Sequence, residues 1–322
     1  MSKVGWGALA IAAAGVIGAC GSGDGAARGL GSFEAALAQL PRTELAPGDM
    51  VTWADLDEIS DALDLGRPDG SSWEEIDDWT AAIAFDREAP IAVQLPRTVQ
   101  ILTEARSPED FHDEHGWSIA DVDELVELFG PDGTFFVAAG DLAIDPDRTE
   151  AVAEGIRGTL GGDGLLMAER DDLLAAASET APLERWLGGT EDTLVDDDAV
   201  AAVAAALDAD DVVSAVVARY GLIETPWRFD TVGIGWRADD GTARITIAFR
   251  VVDVDPDDAA RALEAAMRDG EVGDRPFADY LVLDDVRADG DVVTATVAPG
   301  PRGAARTPLD LLRGAELPFR DR

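Results

Sequence analysis

Cysteine, histidine and lysine are almost missing from this 322-residue chain, which has one Cys, two His and a single lysine, Lys3. One cysteine permits no internal disulfide and no cysteine-based zinc site, so a folded body must hold by its apolar core. With no lysine beyond Lys3, a lysine-bearing phosphate loop is excluded. Any Ser-His-Asp triad could draw only on His112 or His115, and the chain has no Gly-x-Ser-x-Gly elbow. Positive charge is scarce: 25 basic residues face 65 acidic ones, for a net charge of −40. Such a surface repels phosphates and anionic lipid headgroups, so no nucleic-acid partner is expected. Long apolar runs are lacking too. The run from Val4 to Gly18 has fifteen residues, short of the roughly 20 that cross a bilayer.

What is present begins at the other end of that run. Lys3 precedes it, and Ile17-Gly18-Ala19-Cys20 closes it with small side chains before a cysteine. This layout resembles a bacterial lipoprotein signal, in which small residues admit the processing enzymes to the cysteine thiol. The resemblance implies a signal peptide over 1–19, removal of that peptide, and acyl chains such as palmitate on Cys20. It also implies a lipid anchor on the extracytoplasmic face of a cell membrane, with the membrane as partner through that lipid. Gly21 to Gly31 is rich in Gly, Ala and Ser and reads as a flexible tether, reaching about 18 Å for a random coil of this length.

The remaining length and the 47% hydrophobic content predict two folded modules. Their boundaries are expected at 32–218 and 219–300, followed by an Arg-rich tail over 301–322. The fold class is α+β, with antiparallel sheets and helices on one side of each. A helix capped by Ser32 should bury Phe33, Ala36, Leu37 and Leu40. Met50-Val51-Thr52-Trp53 reads as a strand, and Ser72-Trp73-Glu74-Glu75 as a capping box. Thr80 to Phe85, Ile91 to Leu95, Thr98 to Thr103 and Thr134 to Ala138 are further strand candidates. Val122, Leu125, Val126 and Phe129 fall at i, i+3, i+4 and i+7, which predicts a helix over 121–129. Two hairpins are expected, one turning at Asp239-Asp240-Gly241 and the other at Asp289-Gly290, with a helix from Pro256 to Arg268 between them. Ser107-Pro108-Glu109, Asp145-Pro146-Asp147 and Asp255-Pro256-Asp257 share one helix-start design, and so predict an internal strand-helix repeat. The segment from Pro299 is expected to pack loosely.

Candidate chemistry is sparse. His112 and His115 on a helix would share a face, with Glu109 as a third metal ligand. The spacing departs from the i, i+4 pair of zinc hydrolases, and a solvated polar face accounts for the same residues. Asp253, Asp255, Asp257 and Glu264 match calcium-loop positions, but Asp258 stands where that loop needs its turn glycine. Helix capping explains Asp255 without a metal. Gly233-Ile234-Gly235 lies inside an alternating strand and is no nucleotide loop. The tryptophans, Trp53 to Trp236, read as core before they read as a binding groove. No cofactor is expected. These readings favour an envelope lipoprotein that binds or scaffolds an envelope protein or a small molecule. A metal-dependent hydrolase using His112 and His115, and a calcium-binding envelope protein, are the alternatives.

Overall fold

The computed structural model describes residues 29–314 apart from 44, 69–71, 85, 87, 96–107, 131–132, 160–164, 190–191, 224–227 and 240, and without the side chains of 108 and 221–223. Cys20 and the strand expected at Thr98 to Thr103 therefore lie outside the described residues. Eight helices are described: α1 (Phe33–Leu37), α2 (Leu56–Ala62), α3 (Trp73–Ala84), α4 (Pro108–His115), α5 (Thr180–Leu187), α6 (Asp198–Asp208), α7 (Pro256–Asp269) and α8 (Thr307–Gly314). The strands are β1 (Met50–Asp55), β2 (Val122–Gly130), β3 (Gly133–Gly140), β4 (Thr149–Ala153), β5 (Ile156–Thr159), β6 (Leu166–Arg170), β7 (Leu173–Ala177), β8 (Ser214–Ile223), β9 (Phe229–Asp239), β10 (Thr242–Val251), the short pair β11 (Glu271–Val272) and β12 (Arg275–Pro276), β13 (Leu281–Asp289) and β14 (Val292–Pro299). The class is α+β, as the sequence predicts.

All but β11 and β12 join one 12-stranded sheet in the order β13-β14-β10-β9-β8-β1-β2-β3-β7-β6-β5-β4. Every pairing in it is antiparallel. At its middle, β1 pairs with β2 through Trp53↔Val126 and with β8 through Trp53↔Ala215. The sheet is thus continuous from one predicted module to the other, and the predicted boundary at 218/219 falls inside β8.

Helices cover both faces, not one. On the first face Ala54, Leu125, Phe136, Val216 and Ile234 pack with residues of α2, α3, α4, α7 and α8. On the second, Trp53, Val126, Val137, Ala175 and Val217 pack with α1, α5 and α6. A strand buried on both sides carries apolar residues at consecutive positions. This explains why 121–129, whose spacing predicts a helix, lies almost wholly in a strand: Leu125 belongs to one core and Val126 to the other, and the segment is β2. Thr80 to Ala84 likewise continues α3, whose Ile76, Trp79 and Ile83 share the buried face. Ile91 to Leu95 is buried but joins neither a helix nor a strand.

Cap chemistry is confirmed at α7, where Asp255 accepts from the N–H groups of Asp257 and Asp258 with Pro256 in the first turn. At α4, Gly116 has φ +86° and donates to the His112 carbonyl at 2.8 Å, closing the helix in a left-handed conformation that glycine adopts freely. The third copy fails. Asp145-Pro146-Asp147 forms a turn that leads into β4, with no helix after it. Arg148 pairs with Asp145 at 3.0 Å and donates to the His112 carbonyl at 2.6 Å, while Thr149 Oγ1 takes the Asp145 carbonyl at 2.7 Å. The first residue, proline and acid suit a turn as well as a helix start, so the predicted repeat is a coincidence of capping residues.

Gly233 and Gly235 in β9 face α6. A Cβ on Gly233 would overlap Val203 Cγ1 and lie 3.0 Å from Leu207 Cδ1, so the missing side chain lets α6 seat against the sheet. Gly233→Ala is expected to lower stability by about 1–3 kcal/mol in chemical denaturation, the range for overpacking a core. Gly66→Ala, at a glycine with nothing within 4 Å, should leave the midpoint unchanged or slightly raised.

Candidate functional site

Two segments far apart in sequence form the walls of a cleft of about 560 Å³, the first contributing residues between Ile83 and Gln94 and the second residues between Arg302 and Asp310. The volume lies within the roughly 300–1,000 Å³ of small-ligand pockets. Another depression, beside Asp49 and Arg185, holds only about 90 Å³.

The second wall is fixed by close backbone approach. A Cβ on Gly303 would overlap the Tyr280 carbonyl, and one on Gly300 would crowd the carbonyls of Ala278 and Asp279. The Gly300 N–H donates to Tyr280 O and the Arg302 N–H to Asp279 O, both at 2.8 Å. Trp236 Nε1 donates to Ala305 O at 2.7 Å, Thr307 Oγ1 accepts from Ala304 N at 2.8 Å, and Leu309, Leu311 and Leu312 anchor α8 in the core. This stretch, expected to pack loosely, is therefore tied down on several sides. The first wall is a strap, Ile91–Leu95, held by Ser214 Oγ on Ala92 O and by Arg313 on the Gln94 side-chain oxygen, each at 3.0 Å.

Charge gathers on the second wall. Arg306 Nε lies 3.4 Å from Asp310 and Arg302 Nε 3.7 Å from Asp279. Burial, and next the neighbouring charge of Arg306, lower the pKa of Arg313. Asp86, on the first wall, turns its carboxylate onto the Glu88 N–H at 2.9 Å.

The sequence-predicted metal ligands do not converge. His115 is fully buried, its ring 4.4 Å from Phe111 and 6.5 Å from Trp117, whereas His112 lies 5.2 Å from Trp73 and Glu109 is exposed. Of the calcium candidates, Asp253 pairs with Arg228 at 3.5 Å, Asp255 caps α7, Asp257 is exposed, and Glu264 pairs with Arg268 at 2.8 Å. No group of three or more His, Cys, Asp or Glu among the described residues is arranged to hold a metal ion. Of the tryptophans read as core, Trp53, Trp79, Trp117, Trp186 and Trp236 are buried, Trp73 is half-buried, and Trp227 lies outside the described residues.

One titratable pair escaped the sequence reading. Asp55 and Glu124 are direct cross-strand partners. The Glu124 carboxylate accepts from the Gly31 N–H at 2.7 Å, and Leu30 is buried in the second core, so the expected tether is already docked on the sheet by its last residues. Burial, and then the Asp55 charge, push Glu124 up to about 7, against the backbone donors that pull it down. Burial raises Asp55 as well. A carboxyl whose folded pKa exceeds its unfolded value binds more protons in the folded state, so its contribution to stability falls as pH rises. For Glu124 the window runs from its ordinary 4.5 to about 7. Glu124→Gln, which keeps an oxygen for Gly31, should therefore unfold at a higher temperature than the parent at pH 8, with the difference shrinking toward pH 4.5. A difference independent of pH would show that Glu124 does not titrate in this window.

No protein-family model and no curated protein sequence matches the chain. It is similar to the solved structures of crystal forms III and I of TP0453, with a TM-score of 0.40 for each and identities of 7% and 8%. The alignments cover 86% of this chain and 97% and 96% of those chains. A likeness at this level carries no argument about activity.

Proposed function

We propose that this chain is a lipid-anchored protein of the extracytoplasmic face of a cell membrane, held through acyl chains on Cys20, and that its body binds a ligand in the cleft beside α8. The observation that carries the anchor is Ile17-Gly18-Ala19-Cys20 after an apolar run too short to span. No helix among the described residues is long and apolar enough to cross a membrane. With a net charge of −40, the protein surface is a poor ligand for anionic headgroups, which leaves the lipid to make the attachment.

Binding is favoured over catalysis by the composition of the cleft. Its described lining has no His or Cys, Thr307 is engaged in the turn before α8, and Asp86 and Asp310 are held by a backbone N–H and by Arg306. That set supplies neither an activated nucleophile nor a general base aimed at one. The metal-dependent hydrolase alternative is not taken up, because His112, His115 and Glu109 do not gather around one point.

The test is fractionation of a bacterial host expressing the parent or Cys20→Ser. The parent should sediment with membranes and incorporate labelled palmitate. Cys20→Ser should do neither, because stable anchoring needs the acyl chains. Recovery of Cys20→Ser in the membrane pellet after a salt wash would contradict the proposal.

A further inference from the structure

The strap that forms the first wall of the cleft is buried, yet among the described residues none of the backbone N–H groups of Ile91, Ala92, Val93 and Gln94 has a protein acceptor. Two of its carbonyls are engaged, Ala92 O by Ser214 Oγ and Val93 O by the Gln94 side-chain amide. Buried main-chain donors almost always find a partner, and where the protein supplies none, water or a ligand does. These residues line the cleft, so a ligand within it lies beside the strap.

Across the cleft, Arg302 and Arg306 are each approached by a carboxylate from the Nε side, at 3.7 and 3.4 Å. Their terminal nitrogens have no hydrogen bond to the described residues. Guanidinium forks of this kind match the geometry of a carboxylate. Arg313, which holds Gln94 of the strap at 3.0 Å, is close enough to Arg306 for the two charges to repel, and an anion at Arg306 would relieve that repulsion. In a molecule of net charge −40, an anion can settle only where the local sign is reversed. The acids of the lining, Asp86 and Asp310, are already engaged within the protein. Neighbouring surface is contributed by the small side chains of Ala84, Ala89 and Ala304.

We propose that the cleft binds the C-terminal end of a peptide, with its free carboxylate on Arg302 and Arg306 and its main chain on the 91–94 amides, which have no acceptor among the described residues. Main-chain bonds along an unpaired segment and capture of a terminal carboxylate are both established modes of peptide recognition. The alanine-rich lining selects small side chains near that end. The assignment rests on the reading of the cleft as a binding site.

The experiment uses the full-length chain carrying Cys20→Ser and a fluorescent pentapeptide, Gly-Val-Ala-Ala-Ala, prepared with a free or an amidated C-terminus. Fluorescence anisotropy reports affinity, and amide chemical shifts report the location. The free acid should bind at least about tenfold more tightly than the amide, as expected for a charge-assisted pair, and should shift the amides of 91–94. Arg302→Gln with Arg306→Gln should abolish the preference for the acid, while Arg268→Gln, on an exposed arginine of α7, should leave it intact. Equal binding of acid and amide, or competition by N-acetylalanine as strong as by the peptide, would overturn the peptide assignment. Inorganic phosphate is titrated in parallel. Shifts at 91–94 with phosphate but not with peptide would overturn the ligand class while keeping the binding site. No shift with any probe would overturn both.

Discussion

Strand β1 holds the molecule together. It is joined by a hairpin to neither neighbour, yet it completes an antiparallel ladder on each side, with β2 and with β8. The sheet on the β2 side is built from residues 122–177, and that on the β8 side from residues 214–299. Only six residues, Met50–Asp55, join them. Backbone donors and acceptors in a buried strand must be paired, so the burial of Val51 to Ala54 is possible only with both ladders in place. Trp53 adds to this by stacking on Phe33, with ring centroids 5.8 Å apart, which draws α1 onto the same face.

Two-sided burial has consequences through the rest of the chain. It demands helices on both faces, and it lets α6 approach β9 closely where Gly233 and Gly235 present no side chain. The first face also carries the strap and α8, each fastened to the central strands. Ser214 of β8 holds Ala92, and Trp236 of β9 holds Ala305. The cleft is therefore set between two irregular segments whose separation is fixed by the strands beneath them. Pre-organisation of this kind lowers the entropy lost when a ligand binds.

Much of this was legible wherever the signal is local. The hairpins of β9 with β10 and of β13 with β14 announce themselves by turn residues between alternating strands, and Asp255-Pro256 names the start of α7 through cap chemistry alone. The helix expected over 121–129 shows the limit of periodicity. In a strand between two cores, neighbouring apolar residues such as Leu125 and Val126 serve opposite faces, and a spacing of three and four arises without a helix. Asp145-Pro146 shows the limit of capping, because the same residues serve a turn. The cleft was hidden for a different reason. Its walls meet through contacts such as Gln94 with Arg313, and no local pattern encodes a contact between segments so far apart. The Asp55–Glu124 pair was hidden likewise, since it depends on the register of β1 against β2.

The central claim is that two buried segments differ in kind: β1 is paired on both sides, whereas the amides of the 91–94 strap have no acceptor among the described residues. Native-state amide hydrogen exchange separates them directly, because protection follows hydrogen bonding as well as burial. The account predicts that the amides of Val51 to Ala54 exchange only through global unfolding, while those of Ile91 to Gln94 exchange faster by orders of magnitude in the unliganded protein. Strap amides as slow as those of β1 would contradict it, for they would already have their partners.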